Sequence, residues 1–284
     1  MDPATLVGIL LAFGALYAMI TLEGAHVQSL LLPAPMILVF AATIAVGIAG
    51  GTLKDFLVAV KAVPPAVMGR STPPQDTIDS VVVLAEKARS EGLLALEEEA
   101  NTVSDPFLRG ALQNIADGTD GEELREILED EIDSASATHR TASKFFMSLG
   151  GYAPTVGIVG TVVSLTHVLE NLSKPDELGH MIAAAFVATL WGLLSANFLW
   201  LPIGTRIKRL GEMETARMTL LMEGVLAVQA GSQPRLLGER LKAMVPQHAQ
   251  GKGKDGKDGK DGKGGGKGAK GSDETITAQG KAAA

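Results

Sequence analysis

Apolar residues fall into four blocks along the chain, and strongly charged segments separate them. The first two blocks, residues 4–22 and 34–53, are uncharged runs with 11 residues between them. The other two, at about 147–172 and 181–203, are separated by a short polar break. Because about 20 apolar residues in a helix can cross the hydrocarbon core of a bilayer, the pattern predicts an all-α membrane protein. Its four transmembrane helices are expected in a two-plus-two arrangement.

The segments between and after these blocks have the pattern of amphipathic, water-exposed helices. Residues 54–146 are predicted to form a helical cytoplasmic domain, in which a helix begins near Glu122 and continues into the third block without a clear stop. The proline-rich stretch 64–74 is not expected to be helical throughout. Residues 205–245 are predicted to form a C-terminal cytoplasmic helix. Residues 246–284, rich in glycine and lysine, are predicted to form a disordered tail.

Small residues recur at helical spacing in the third and fourth blocks, so each predicted helix has one face without bulky side chains. These positions are Ala153, Gly157, Gly160 and Ser164 in the third block and Ala184, Ala188, Gly192 and Ala196 in the fourth. Such faces allow membrane helices to pack closely. Thr161 and Thr189 add hydroxyls beside the two faces, and Pro154 and Pro202 lie near one end of each helix. Two interpretations stay open: the wall of an ion path, or tight packing with hydroxyls bonded to their own backbone carbonyls.

The distribution of charge indicates how the chain is oriented in a membrane. Lysine and arginine residues lie near the ends of segment 54–146 and just after residue 203, whereas loop 23–33 has none. The positive-inside rule therefore places both termini and the long segment in the cytoplasm. The net charge of −7 argues against a nucleic-acid binder. The sequence has no cysteine, which excludes disulfides and thiolate metal sites.

Several segments resemble the MotA/PomA family of flagellar motor stators, part of the wider MotA/TolQ/ExbB superfamily. The stretches ARSEGLLALEEEA at 88–100 and DPFLRGALQNIADGTD at 105–120 are similar to two blocks of the family's cytoplasmic domain. GGYAPTVGIVGTVVSLTHVLENL and AAAFVATLWGLLSANFLWLPI resemble its third and fourth membrane spans. No single block is specific, but the four in this order are. The resemblance covers roughly residues 1–235.

The resemblance implies a stator subunit of an ion-driven motor in the bacterial inner membrane, and not an enzyme. Such subunits form a ring, usually a pentamer, around a dimer of a single-span MotB/PomB-type partner. The partner supplies the ion-carrying aspartate and a domain that binds peptidoglycan. None of the four apolar blocks has Asp, Lys or Arg at mid-depth, which fits a carrier supplied by the partner. No cofactor is implied apart from the coupling ion.

The resemblance also implies roles for individual residues. Arg89, Glu97 and Glu98 match charges that face the rotor's switch-complex protein; without the resemblance, they would be an ordinary solvated helix surface. Pro154 and Pro202 match conformational prolines of the third and fourth spans. A proline there frees a backbone carbonyl and can bend the helix.

In the membrane, Thr161 and Thr189 match hydroxyls placed near the partner's aspartate. Sodium prefers hard oxygen ligands, and threonine at the position of Thr161 is typical of sodium-driven family members. The expected coupling ion is therefore sodium, with the proton as the alternative. The residues expected to form the close helix contact are Gly157, Gly160, Ala188 and Gly192.

Four other functions compete with this interpretation. ExbB and TolQ subunits also form rings around an ion-carrying partner, but they have three spans, and the hairpin at 4–53 argues against them. A MotA-like ring that drives a non-flagellar envelope process remains an alternative. A secondary transporter would need an intramembrane charge or a broken helix at mid-depth, and an enzyme would need a catalytic or phosphate-binding motif. The sequence contains neither kind of feature.

Overall fold

The structure is a computed structural model that describes residues 4–68, 72–173 and 175–247. Throughout these ranges the chain is built from helices, with no β-strand. The all-α prediction is therefore confirmed for this part of the chain. The predicted tail falls, except for residues 246 and 247, outside the described residues.

The N-terminal hairpin consists of two apolar helical stretches. Helix α1 is Ala4–Leu22. The second stretch begins as α2, Pro33–Ile37, widens into a π-helical segment, Leu38–Ala42, and continues as α3, Thr43–Ala49. It starts on a proline, whose missing N–H needs no partner in the first turn of a helix. It ends four residues before the predicted limit of residue 53.

Three helical stretches in the described ranges are long and apolar enough to cross a membrane. They are Thr5–Leu22 and one window in each of Gly121–Glu170 and Glu177–Gln229. The stretch Pro33–Ala49 is apolar but shorter. Its 17 residues correspond to about 25 Å at the rise of an α-helix, which is near the lower limit for a spanning helix.

Helix α4, Leu53–Met68, starts with a reciprocal cap. The backbone N–H of Thr52 donates to Asp55 Oδ2 at 2.9 Å, and the N–H of Asp55 donates to Thr52 Oγ1 at 3.2 Å. The helix continues through Pro64 and Pro65, so helical structure reaches farther into the proline-rich stretch than its composition indicates. Both prolines lie in the last five residues of the helix, where few following residues depend on its hydrogen bonds.

Three helices follow in the helical segment that was predicted to be cytoplasmic and is called the cytoplasmic domain below on that prediction: α5, Pro74–Glu91; α6, Ala95–Thr102; and α7, Pro106–Ala116. Gly92 separates α5 from α6 with a φ of 89°, a conformation that favours glycine. Asp105 caps α7, since its carboxylate accepts hydrogen bonds from the backbone N–H groups of the next turn.

Helix α8, Gly121–Glu170, is 50 residues long. The predicted continuity from Glu122 into the third apolar block is confirmed. At about 1.5 Å per residue the helix is about 75 Å long, more than twice the hydrocarbon thickness of about 30 Å. Pro154 was expected near a helix end, but it lies inside α8 because the cytoplasmic and apolar segments form one helix.

The fourth apolar block also continues into the cytoplasmic domain. Helix α9, Pro175–Leu194, is followed by a π-helical segment, Ser195–Trp200, and by α10, Leu201–Gln229. The helix starts six residues before the predicted start of residue 181, because Pro175 opens it and the polar residues that follow form its first turns.

The C-terminal segment 205–245 was predicted as one helix, but the structure divides it into two. Helix α10 ends at Gln229, and α11 is Pro234–Met244. Gly231, with a φ of 73°, ends the first helix, and Pro234 begins the second.

Buried side chains form two clusters. The larger joins α5, α6, α7, α8, α10 and α11 in the cytoplasmic domain and includes Val81, Leu96, Leu112, Leu128 and Val225. The smaller packs α4 against α8 and α10 beside the membrane-crossing part of α8 and includes Ala59, Phe145, Phe146, Leu149 and Ile207. Long helices α8 and α10 contribute to both clusters, so they connect the two regions.

Arg217 on α10 joins two acidic residues, Glu214 on its own helix and Asp105 at the start of α7. Its guanidinium donates to both carboxylate oxygens of Glu214, at 2.6 and 3.0 Å, and also to the carboxylate of Asp105. The hydrogen bonds to Glu214 raise the pKa of Arg217 most, and the bond to Asp105 adds to this against the opposing effect of burial. The cap of α7 is thereby attached to α10.

Candidate functional site

The apolar parts of α8 and α9 meet along a seam of small residues. A Cβ added to Gly157 would lie 2.9 Å from the carbonyl oxygen of Ala188, and one added to Gly192 would lie 2.8 Å from that of Ala153. A Cβ on Gly160 would be 2.9 Å from the Cβ of Ala188. These distances leave no room for a larger side chain, so the backbones touch. The structure thus brings the four small residues singled out in the sequence into one contact.

The two threonine hydroxyls also come together at this seam. Thr161 Oγ1 lies 3.1 Å from the carbonyl oxygen of Gly157, one turn back on its own helix, and 3.0 Å from that of Ala185 on α9. It forms a short hydrogen bond with Thr189 Oγ1. Both threonines are half-buried. The Thr161 hydroxyl therefore has oxygen neighbours both on its own helix and across the seam, which combines the packing interpretation with a cluster of oxygen atoms.

The oxygen atoms of this cluster are uncharged ligands. Hydroxyl and carbonyl oxygens are hard ligands of the kind that sodium prefers, but none of the four carries a charge. A cation at this depth needs a balancing negative charge. The cluster can thus supply part of a coordination shell, while a carboxylate must come from elsewhere. Among the described residues, no group of three or more His, Asp or Glu side chains is placed to hold a metal ion.

The two prolines lie at different positions relative to this seam. Pro154 is one turn before Gly157 on α8, and Pro202 follows the π-helical segment Ser195–Trp200 at the start of α10. Each proline lacks the N–H that an α-helix would use at that position. Near Pro202 the missing bond coincides with the wider π-helical turn, a combination often found at functional positions. Whether either proline takes part in a movement stays a prediction.

The predicted rotor-facing charges lie at a separate tip of the cytoplasmic domain. Arg89 is in the last turn of α5, and Glu97 and Glu98 are in the first turn of α6. All three side chains are exposed. The two carboxylates are favourably placed at the N-terminus of their helix. Although these charges are close in sequence, they lie on two helices separated by the turn at Gly92.

The three neighbouring glutamates of α6 differ in their distance from Lys87. Its ammonium group lies 2.7 Å from Glu99 and 3.7 Å from Glu98. The hydrogen bond to Glu99 raises the pKa of Lys87 above its ordinary value. Glu99 is thus held within the domain, while the side chain of Glu98 is 82% exposed. Within the described part of the chain, the side chains of Arg89 and Glu97 have no hydrogen-bond or ion-pair partner.

An aromatic cluster beside the seam did not follow from the sequence reasoning. Phe40, in the first π-helical segment, contacts the rings of both Trp191 and Trp200, and Trp200 stacks on Phe146. The indole of Trp191 donates to the carbonyl oxygen of Leu30 at 2.7 Å. These contacts fix the first hairpin against α9. The one available signal was that both tryptophans of the chain lie in the fourth apolar block.

Comparison with known proteins confirms the resemblance to the MotA/PomA family. Residues 99–219 match the model of the MotA/TolQ/ExbB proton channel family. Motility protein A of Bacillus subtilis is 35% identical over 252 residues, which cover 87% of this chain and 92% of that protein.

Solved structures agree with this likeness. The structure of MotAB from C. jejuni matches with a TM-score of 0.83 and 26% identity, over 87% of this chain and 97% of that one. The flagellar MotAB stator complex from Bacillus subtilis matches with a TM-score of 0.79 and 33% identity, over 85% of this chain and 95% of that one. Proteins of this family are membrane-embedded ion-channel subunits, not enzymes. The chain therefore belongs to the MotA/TolQ/ExbB proton channel family and, within it, is related to motility protein A.

Proposed function

We propose that this chain is the A-type stator subunit of an ion-driven flagellar motor. With a MotB/PomB-type partner, it couples inward ion flow to rotation of its own ring and to torque on the rotor. The observation that carries this proposal is a likeness to motility protein A along almost the whole chain, in a molecule whose membrane seam has oxygen ligands but no charge of its own.

The proposed arrangement has four spans in the bacterial inner membrane, with both termini in the cytoplasm. The apolar stretches are α1, α2 to α3, the second half of α8, and α9 with the following π-helical segment. The first half of α8 and most of α10 extend beyond the membrane on one side. The amphipathic helices pack against these two extensions. They therefore lie on the side that the positive-inside rule assigns to the cytoplasm.

Assembly into a ring around a partner is supported by apolar surface that the chain leaves uncovered. Ile158, Val159, Val162 and Val163 are exposed on the apolar part of α8. Lipid can cover such residues, but so can neighbouring subunits and a single-span partner. The titles of the similar structures name a complex of two proteins, MotA and MotB. By analogy, the proposed assembly is a pentameric ring around a partner dimer.

Sodium is the proposed coupling ion, and the proton is the alternative. The Thr161–Thr189 cluster supports sodium because it gathers hydroxyl and carbonyl oxygens at one point of the seam. The partner's carboxylate would complete the coordination shell. A proton needs only the carboxylate, so the same cluster would then serve for packing alone.

The exposed pair Arg89 and Glu97 is the proposed contact with the rotor's switch-complex protein. Both side chains are free for an external partner within the described part of the chain, whereas Glu99 is engaged by Lys87. Exposed complementary charges mainly affect encounter and register rather than affinity, which suits a contact that is made and broken in every step.

A ring that drives a non-flagellar envelope process is the second candidate. It is favoured by the family model, which covers TolQ and ExbB as well as MotA and matches residues 99–219. The first hairpin, residues 4–53, lies outside this match, and the likeness to motility protein A of Bacillus subtilis extends over 87% of this chain.

Co-expression with the single-span protein of the neighbouring reading frame tests the proposal. The two proteins are expected to co-purify, and together they should restore swimming to a host that lacks both stator genes. Co-purification without restored swimming, in a host whose rotor is replaced by that of the source organism, would favour the second candidate. If the two proteins do not associate, both candidates are wrong.

A further inference from the structure

Two neighbouring leucines are exposed in the turn between α5 and α6, residues 92–95, which we call the leucine turn. Leu94 is 74% exposed, more than any other large apolar residue in the ranges 72–146 and 205–247, and Leu93 is 38% exposed. Leu96, which follows them, is fully buried in the larger cluster. Because a single exposed leucine is common on protein surfaces, the surroundings of this pair decide what it can do.

Backbone hydrogen bonds hold the leucine turn in one conformation. The N–H groups of Leu96 and Glu97 donate to the carbonyl oxygens of the two leucines at 3.0 and 3.2 Å. On the other side of the turn, the N–H of Gly92 donates to the last turn of α5 at 3.0 Å. The buried side chain of Leu96 attaches the turn to the larger cluster. An apolar group on a backbone that is already ordered loses little conformational entropy when a partner covers it.

Exposed charged residues lie close to the leucine turn in sequence on both sides. Arg89 and Glu91 precede it at the end of α5, and Glu97 and Glu98 follow it in the first turn of α6. All four are exposed. Within the described part of the chain, the side chains of Arg89 and Glu97 have no hydrogen-bond or ion-pair partner. The tip thus combines an apolar centre with three exposed carboxylates and one exposed guanidinium group.

The charges and the leucines of the tip contribute to a contact in different ways. Exposed ion pairs add little to affinity, because water screens them, and they act mainly on encounter and register. An apolar side chain that a partner covers is removed from water, which is favourable and does not require an exact orientation. A partner that covers Leu94 therefore gains affinity that the surrounding charges do not supply.

We propose that the leucine turn is the apolar anchor of the contact with the rotor's switch-complex protein. This inference rests on the proposed function and adds an apolar group to the charge pair Arg89 and Glu97. The surface that fits is an apolar pocket for Leu94, bordered by basic side chains and by one carboxylate for Arg89. A membrane surface is a poorer occupant, because acidic headgroups repel the three carboxylates of the tip.

Thiol labelling tests whether the rotor protein covers the turn. The chain has no cysteine, so an introduced thiol reports on one position. Leu94→Cys and its matched control Leu236→Cys, at a residue that is 58% exposed on α11, are prepared as full chains in complex with the single-span partner. A maleimide is added with and without a saturating amount of the purified switch-complex protein. We expect both thiols to react freely alone, and the rotor protein to slow only Leu94→Cys, at least severalfold.

Affinity measurements test whether the leucine contributes to binding. Leu94→Ser removes the apolar group, Leu94→Met keeps one of similar volume, and Leu236→Ser is the matched control on α11. Biolayer interferometry measures the affinity of each complex for the switch-complex protein. Leu94→Ser should weaken binding about 10-fold or more, since full burial of a leucine corresponds to roughly one to two orders of magnitude in affinity. The methionine variant should keep most of the affinity, and the control should keep all of it.

Three results would overturn the inference. The first is a Leu94→Cys thiol that does not react before the rotor protein is added, because a neighbouring copy would then cover the turn. The second is equal protection of both thiols, or protection of neither. The third is a Leu94→Ser variant that binds like the wild type or like Leu94→Met. Each leaves the proposed function standing as long as the wild-type complex binds the switch-complex protein and restores swimming; if it does neither, the proposed function fails and this inference with it.

Discussion

At the residue scale, Thr161 is the side chain on which the nature of the coupling ion depends most directly. Its hydroxyl has one proton and three oxygen neighbours, so it can donate to only one of them. Two of these neighbours are carbonyl oxygens, and a hydroxyl also has lone pairs that can accept. Such a site can share in coordinating a small cation without a large rearrangement.

Replacing Thr161 separates coordination from packing. If sodium is coupled, Thr161→Ala should reduce sodium-driven swimming to near zero, while Thr161→Ser keeps much of it because the oxygen remains. The loss in stability should be about 1 kcal/mol, the usual net contribution of one hydrogen bond. Swimming speed as a function of external sodium is the measurement.

Thr166→Ala is the matched control for this prediction. Thr166 lies on the same helix, and its hydroxyl donates to the backbone carbonyl of Val162 on an exposed face. Cells with the Thr166→Ala variant should swim normally. Equal behaviour of Ala and Ser at residue 161, or swimming that is insensitive to sodium but stopped by a protonophore, would contradict the sodium proposal.

The exposed charges at the cytoplasmic tip give a second prediction. Simultaneous reversal, Arg89→Glu with Glu97→Arg, should lower torque severalfold without changing assembly, because neither side chain has an internal partner in the described ranges. Torque is measured from the rotation of a tethered cell, and assembly from co-purification. The control is the same exchange at Arg235 and Glu239, an exposed pair on α11 at 3.5 Å. Normal torque after the first exchange would exclude Arg89 and Glu97 as the rotor contact.

At the scale of elements, the closeness of α8 and α9 depends on glycine. Gly157→Ala would place a methyl group 2.9 Å from a backbone oxygen that cannot move independently. Alanine normally stabilises a helix by about 1 kcal/mol relative to glycine, but overpacking against a backbone typically costs about 1–3 kcal/mol, so a net loss of up to about 2 kcal/mol is expected. The melting temperature of the chain in detergent should fall.

Gly151→Ala is the matched control on the same helix, since its added Cβ would meet nothing within 4 Å. It should leave the melting temperature unchanged or raise it. If both alanine variants shift the melting temperature alike, the α8–α9 contact is not as close as the structure has it.

The start of α7 offers a prediction about how the cytoplasmic helices are joined. The carboxylate of Asp105 caps α7 and also bonds Arg217 of α10. Asp105→Ser keeps a capping oxygen but loses the charge pair, whereas Asp105→Ala loses both and should cost about 1 kcal/mol more. Hydrogen exchange at the amides of Phe107 and Leu108 should therefore be fastest in the alanine variant. Equal exchange in the two variants would show that the cap contributes nothing there.

Much of the helical arrangement could be predicted from the sequence, because its causes are local. Apolar blocks, small-residue spacing and the unbroken pattern from Glu122 all act over a few turns, and the structure has helices at each of them. The sequence placed Thr161 and Thr189 beside the two small faces, and their contact with each other is a finding of the structure. The π-helical segments did not, because no residue type marks them. They arise where Phe40, Trp191 and Trp200 pack between helices distant in sequence.

The misplaced boundaries have a similar explanation. The polar residues after Pro175 indicate a loop by composition, but they are tolerated at the solvated start of a helix. Segment 205–245 was predicted as one helix, although Gly231, at a φ of 73°, and Pro234 divide it into two. A helix end of this kind depends on one residue, so it is easily missed in a sequence with a periodic apolar pattern.

For the whole molecule, α8 and α10 are the elements that join the apolar helices to the cluster of amphipathic helices. Each belongs to both buried clusters, and each is continuous from the apolar part to the cytoplasmic part. A displacement at the threonine seam can therefore pass along α8 into the larger buried cluster without an intervening loop. This rigid connection fits a protein that turns ion passage at one level into force at another.

The central claim is that this chain forms the moving part of an ion-driven motor but does not carry the ion itself. It is tested most directly by sodium and proton flux into liposomes that contain the chain alone or together with its single-span partner. The account predicts no flux above that of empty liposomes for the chain alone, because its apolar stretches have no Asp, Lys or Arg at mid-depth. With the partner, flux should appear and should be lost when the partner's membrane aspartate is replaced by asparagine. Flux through the chain alone would contradict the claim.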